Sequence, residues 1–88
     1  MEDLLNTISN LTLKNSYEEA IIHDVQQIIL CYMNQYSSLD NTKLKIKKSS
    51  LTTLQLYQYV VNLLKDHINN LLEIMPYIDD YLEYYEQL

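Results

Sequence analysis

The sequence predicts an all-α protein: a small helical bundle of two long and two short helices, at about residues 2–13, 17–36, 51–75 and 77–88, with an irregular Lys-rich linker at 37–50. Three observations predict it. The 88 residues include no glycine, apolar residues recur at three- and four-residue steps through most of the chain, and a chain this short supports a single domain with one small core. Without glycine, the phosphate-cradling loops, dinucleotide fingerprints and nucleophile elbows that need positive φ or close backbone approach are excluded. Tight β-hairpin turns lose their usual residue as well, which argues against an all-β fold.

The first helix, over residues 2–13, rests on Leu4, Leu5, Ile8 and Leu11 at helical spacing, with Glu2 and Asp3 in the first turn where the helix dipole favours acids. Ser16 followed three residues later by Glu19 has the form of a capping box opening the second helix. That helix carries an apolar stripe through Ile21, Val25, Ile28 and Tyr32, widened by Ile22, Ile29, Met33 and Tyr36, and a polar face of His23, Asp24, Gln26, Gln27 and Asn34. In the linker, Lys43 to Lys47 alternates polar with apolar residues. One short strand without a pairing partner is weak, so Leu44 and Ile46 are expected to pack down from an irregular segment.

The third helix, capped by Ser49 or Ser50, has the clearest periodicity. Leu54, Tyr57, Val61, Leu64, Ile68, Leu71 and Met75 follow at steps of 3, 4, 3, 4, 3 and 4, an a/d seam over three heptads. Val60 and Leu72 broaden the seam, while Leu56 and Leu63 lie on a flank. Pro76 is expected to end this helix and open the fourth, whose Ile78, Tyr81, Leu82, Tyr85 and Leu88 oppose Asp79, Asp80, Glu83 and Glu86. Ordering costs about 1.5 kcal/mol per residue and nearly cancels what so small a core returns, so self-association through the third-helix seam is expected to complete the bundle.

Twelve acids against six lysines leave a net charge of −6, unevenly spread: four lysines lie at 43–48, whereas 73–88 has five acids and no base. Such a chain repels nucleic-acid backbones and anionic membranes and suits a protein partner with a basic surface. The lysine cluster lacks Arg and interleaved aromatics, which argues against sequence-specific nucleic-acid reading; it is expected to pair with the acidic helix. The uncharged stretches 25–39 and 49–64 are too short and polar to span a bilayer, and no signal region opens the chain, so an intracellular protein is expected. Abundant Asn, Ile, Tyr and Lys with little Ala and no Arg suit an A/T-rich genome, of a low-GC microbe or a virus of one.

No catalytic grouping can be built from spacing. Asp79, Asp80, Glu83 and Glu86 read as a solvated face and Cys31 as a small buried hydrophobe; Glu19 and His23, four apart, could share a metal that His67 would join only if the bundle brought it near, a third and least favoured reading, so neither a metal nor a cofactor is expected. The nine tyrosines are more informative. Tyr32, Tyr57, Tyr81 and Tyr85 fall on apolar stripes, as core-edge residues with hydroxyls reaching water, whereas Tyr59, Tyr77 and Tyr84 fall off them. Tyr77, Asp79, Asp80, Glu83 and Tyr84 therefore form the expected partner-binding face, since tyrosine amid carboxylates is the composition of an interaction hot spot. The expected class is a non-enzymatic interaction protein, such as an inhibitor encoded by a virus, phage or mobile element; the alternative is a structural subunit docking its apolar seam into a larger complex.

Overall fold

In the computed structural model, which describes residues 2–33, 44–46 and 49–87, four helices follow one another: α1 (Glu2–Ser9), α2 (Ser16–Met33), α3 (Thr53–Lys65) and α4 (Leu71–Glu86). No strand occurs among the described residues, and the fold is all-α. The chain divides into two compact units, Met1–Ile46 and Lys47–Leu88. Each is built on one packed helix pair, α1 with α2 and α3 with α4.

In the first unit, α1 buries Leu4 and Ile8 and stops at Ser9, short of the expected Leu13. The hydroxyls of Thr7 and Ser9 turn back onto the carbonyls of Asp3 and Leu5 at 2.8 and 2.9 Å, and the residues that follow include Asn10 and Thr12, both poor helix formers. Gln26 Nε2 donates to Ser9 Oγ at 2.9 Å, which sets the end of α1 beside the middle of α2. The connection 10–15 must therefore run back along α2 for about 15 Å, within the roughly 20 Å that six extended residues span.

The cap of α2 lies one residue earlier than expected. Asn15 Oδ1 accepts the Glu18 N–H at 2.8 Å, and Glu18 Oε2 in turn accepts the Lys14 N–H at 2.8 Å. Asn and Ser cap about equally well, and the Asn15 register buries Glu18 in that exchange while Glu19 stays exposed. Beyond the cap, Ile21, Ile22, Val25, Ile28 and Ile29 form a broad buried face. Residues 34–36, which the sequence adds to this helix, lie outside those described.

Asp24 departs most from expectation. Placed by the sequence on the polar face, it is 0% exposed, in the row Ile21, Asp24, Ile28, Cys31. Its Oδ1 accepts the Lys45 N–H at 2.6 Å and its Oδ2 the Ile46 N–H at 3.0 Å, with His23 Nδ1 3.4 Å from Oδ1. Two consecutive main-chain donors thus satisfy both oxygens, and the returning chain is pinned so that Ile46 becomes buried and Leu44 half-buried.

The second unit opens with another buried polar anchor. Ser49, expected to cap a helix, instead turns both its N–H and its hydroxyl to the Tyr85 hydroxyl, at 3.2 and 3.1 Å, while Tyr85 donates to the Leu51 carbonyl at 3.0 Å. The end of α4 is thereby tied to the start of α3, so the two helices run antiparallel. Thr52 is the cap of α3, in a reciprocal box with Gln55: Thr52 Oγ1 accepts the Gln55 N–H at 3.2 Å and Gln55 Oε1 accepts the Thr52 N–H at 2.9 Å.

The third helix ends at Lys65, ten residues before the expected Met75. Asp66, Asn69 and Asn70 favour turns because their side chains compete for backbone hydrogen bonds, and the Leu64 carbonyl closes the helix by accepting from both His67 and Ile68. Folding back here lets α4 cover α3 within one chain. The buried row of α3 is consequently Leu56, Val60 and Leu64, rotated from the expected seam, whose Leu54 is 65% exposed and whose Tyr57 and Val61 are half-buried. Pro76 lies inside α4, five residues after its start. Its missing N–H would have served the carbonyl of Leu72; both residues are exposed, so water reaches that side of the helix.

Asp24→Ala leaves two main-chain donors without acceptors and is expected to cost about 2–3 kcal/mol in urea denaturation. Asp24→Asn, which turns an NH2 toward one of those donors, should lose most of the same amount. Equal stability of wild type and both variants counts against the anchor. Tyr85→Phe, which keeps the ring and removes only the hydroxyl, is expected to cost about 1–2 kcal/mol by the same measurement.

Candidate interaction face on α4

The geometry of α4 follows from its length. Beginning at Leu71 rather than at Tyr77, it brings Ile74 into the apolar face and aligns Ile74, Tyr77 and Tyr81 at steps of 3 and 4, beside Ile78, Leu82 and Tyr85. All six are buried. The opposite side is exposed at Leu72, Glu73, Pro76, Asp79, Glu83 and Glu86, with Asp80 and Tyr84 half-buried along one rim.

The five expected partner-binding residues therefore divide. Asp79 and Glu83, one turn apart, occupy the centre of the exposed face, and Asp80 and Tyr84 form its rim. Tyr77 shares the rim register of Asp80 and Tyr84 but is only 9% exposed, so the reading of Tyr77 as an off-stripe surface residue is corrected: it belongs to the core row that the missed first turn of α4 creates. Tyr81 and Tyr85, read as edge residues, are 0% exposed, whereas Tyr32 is 48% exposed.

The electrostatics of this face are locally unfavourable. All five charges of α4 are carboxylates, and no base lies in its last turn, where Glu83 and Glu86 oppose the helix dipole. Asp79 and Glu83 repel at i,i+4, a pair cost of about 0.2–0.5 kcal/mol when solvated.

The expected association seam is distributed along the second unit. Leu54, Tyr57, Val61 and Leu64 lie on α3, Ile68 in the turn, and Leu71 and Met75 on α4. Leu64 and Ile68 are buried, Leu54 is exposed, and Tyr57, Val61, Leu71 and Met75 are half-buried. Lys43, Lys47 and Lys48 lie outside the described residues; Lys45 has an exposed side chain and gives its N–H to Asp24. Of the residues weighed as metal ligands, Glu19 and His67 are exposed and His23 rests against Asp24. Among the described residues, no group of three or more His, Cys, Asp or Glu is arranged to hold a metal ion.

Sequence reasoning passed over Asp24 and Tyr85 as anchors. Asp24 was signalled by its position in the 3-4-3 row between Ile21 and Cys31, and the α3 cap by the pattern Thr52-Thr53-Leu54-Gln55.

The division of α4 is testable by stability. Tyr77→Ala is expected to cost about 3 kcal/mol because it empties a core position, whereas Asp79→Asn should change stability by less than about 0.5 kcal/mol; equal effects in thermal denaturation would place both residues on the surface. Compared with protein-family models, with curated proteins and with solved structures, the chain matches none.

Proposed function

We propose that this chain is a non-enzymatic interaction protein that offers the acidic face of α4 to a basic surface on another protein, in the manner of an inhibitor encoded by a virus, phage or mobile element. One observation carries the reading: five carboxylates on a helix without a base, of which Asp79 and Glu83 repel one another and Glu83 and Glu86 oppose the helix dipole. That arrangement costs stability in the isolated helix and becomes favourable opposite positive charge. Half-buried Tyr84 at the rim adds a large amphipathic contact that needs little further ordering. No helix among the described residues is long and apolar enough to cross a membrane.

Self-association belongs to the same proposal. Leu54 is 65% exposed and Leu72 88% exposed, while Tyr57, Val61, Leu71 and Met75 remain half-buried, so the second unit keeps apolar surface for a second copy of the chain. The same surface favours the alternative of a subunit docked into a larger assembly.

Asp79→Asn combined with Glu83→Gln and Glu86→Gln removes three of the five negative charges of α4 and leaves the core row intact. Capture of the partner from cells of origin on immobilised protein is expected to fall at least about tenfold and to lose its salt dependence, with an unchanged circular dichroism spectrum. Undiminished capture by the triple variant overturns the acidic-face reading.

A further inference from the structure

We infer that the α3–α4 hairpin can open at Asp66–Asn70 into one long helix and exchange α4 with a second copy of the chain, forming an antiparallel dimer. This rests on the self-association reading and specifies how it happens.

The first support is register. The alternating three- and four-residue steps that run from Leu54 to Met75 continue without interruption through Ile78 and Leu82 to Tyr85. The midpoint of that run falls between Asn69 and Asn70, inside the turn that closes the hairpin. A run with this spacing is self-complementary when read antiparallel. Leu54 lies opposite Tyr85 at the ends, Ile68 opposite Leu71 at the centre, and each seam position between them opposite another seam position. The closed hairpin already sets Tyr85 beside the start of α3, because its hydroxyl bonds the carbonyl of Leu51, three residues before Leu54; Leu54 itself is 65% exposed there and gains cover on exchange.

A second support is the turn itself. It contains neither Gly nor Pro, and Asp66 is helical at φ −73°, ψ −17°. Asn70, at φ −102°, ψ 56°, needs a change mainly in ψ to become helical, and as the N-cap of α4 it makes no side-chain capping bond that opening would forfeit. The low helix propensity of Asp and Asn adds only a small preference for the bend; its main support is the α3–α4 packing, which opening exchanges for the Leu54–Tyr85 seam between chains.

Charge decides the orientation. Lys65 is the one charged residue of α3, and the five charged residues of α4 are all acids. A parallel pair would set carboxylates against carboxylates, whereas the antiparallel exchange sets each acidic helix beside an α3 whose outer face is Gln55, Gln58, Asn62 and Lys65.

The test places a donor and an acceptor dye on one chain, at Gln58→Cys and Gln87→Cys, both exposed positions, with the native Cys31 buried. Labelled protein is mixed with excess unlabelled protein, and size is followed by sedimentation. Twenty-nine residues of continuous helix separate the dyes by about 44 Å, so with a short-range pair that transfers only well inside that distance, exchange is expected to abolish most of the energy transfer seen in the closed monomer. Asn69→Ala with Asn70→Ala should lower the dimer dissociation constant about tenfold or more, and Asn70→Gly should raise it. A chain that stays monomeric up to about 1 mM in wild type and in the alanine variant overturns the inference. So does a dimer that keeps the energy transfer of the monomer, although self-association itself then stands. Wild type at high concentration and the Asn70→Gly variant decide the matter if the alanine variant fails to fold.

Discussion

A carboxylate with no exposed surface, set among isoleucines, governs how the first half of the chain closes. Burying Asp24 is unfavourable until each oxygen has a donor, and the nearest supply is the main chain of Lys45 and Ile46, more than twenty residues away in sequence. The requirement fixes where the returning segment lands on α2, and Ile46 follows it into the core. Apolar contacts alone would let such a segment slide along the helix, because burial of hydrocarbon has little direction. The second unit solves the same problem with the Tyr85 hydroxyl, which accepts the Ser49 N–H and donates a hydrogen bond to the Leu51 carbonyl. In both units a polar atom on a long helix selects one arrangement among several of similar apolar burial.

These anchors were the hardest features to read in the sequence, and the reason is physical. Helical periodicity identifies which residues share a face, and it located all four helices. It assigns a lone acid to solvent by default, and so groups Asp24 with His23 and Gln27 although it sits between Ile21 and Ile28 at apolar spacing. The anchors also depend on partners distant in sequence, Lys45 for one and Ser49 for the other, and no local pattern announces that pairing. Boundaries failed for a related reason. The 3-4 pattern passes through Asp66–Asn70 unchanged, so periodicity read one helix where backbone propensity makes two.

That missed turn accounts for most of what changed in the candidate face. With α4 beginning six residues before Tyr77, this tyrosine acquires Ile74 as a neighbour one turn back and joins the core. The acids are unaffected, because Asp79 and Glu83 oppose the apolar row in either frame. Charge placement was therefore legible from the sequence and tyrosine burial was not. A carboxylate without main-chain donors within reach stays in water, whereas tyrosine is stable both in a core and at its edge.

The absence of glycine bears on the same turn. A chain with glycine at position 70 would commit to the hairpin, since glycine is costly in a helix and easy in a bend. Asparagine and aspartate discriminate less, by a few tenths of a kcal/mol per residue relative to good helix formers. The turn between α3 and α4 is consequently held more by the packing it enables than by its own backbone preference. A second copy in antiparallel register offers the same helices apolar cover along the seam, so the concentration of chain sets the balance between a closed hairpin and an exchanged pair.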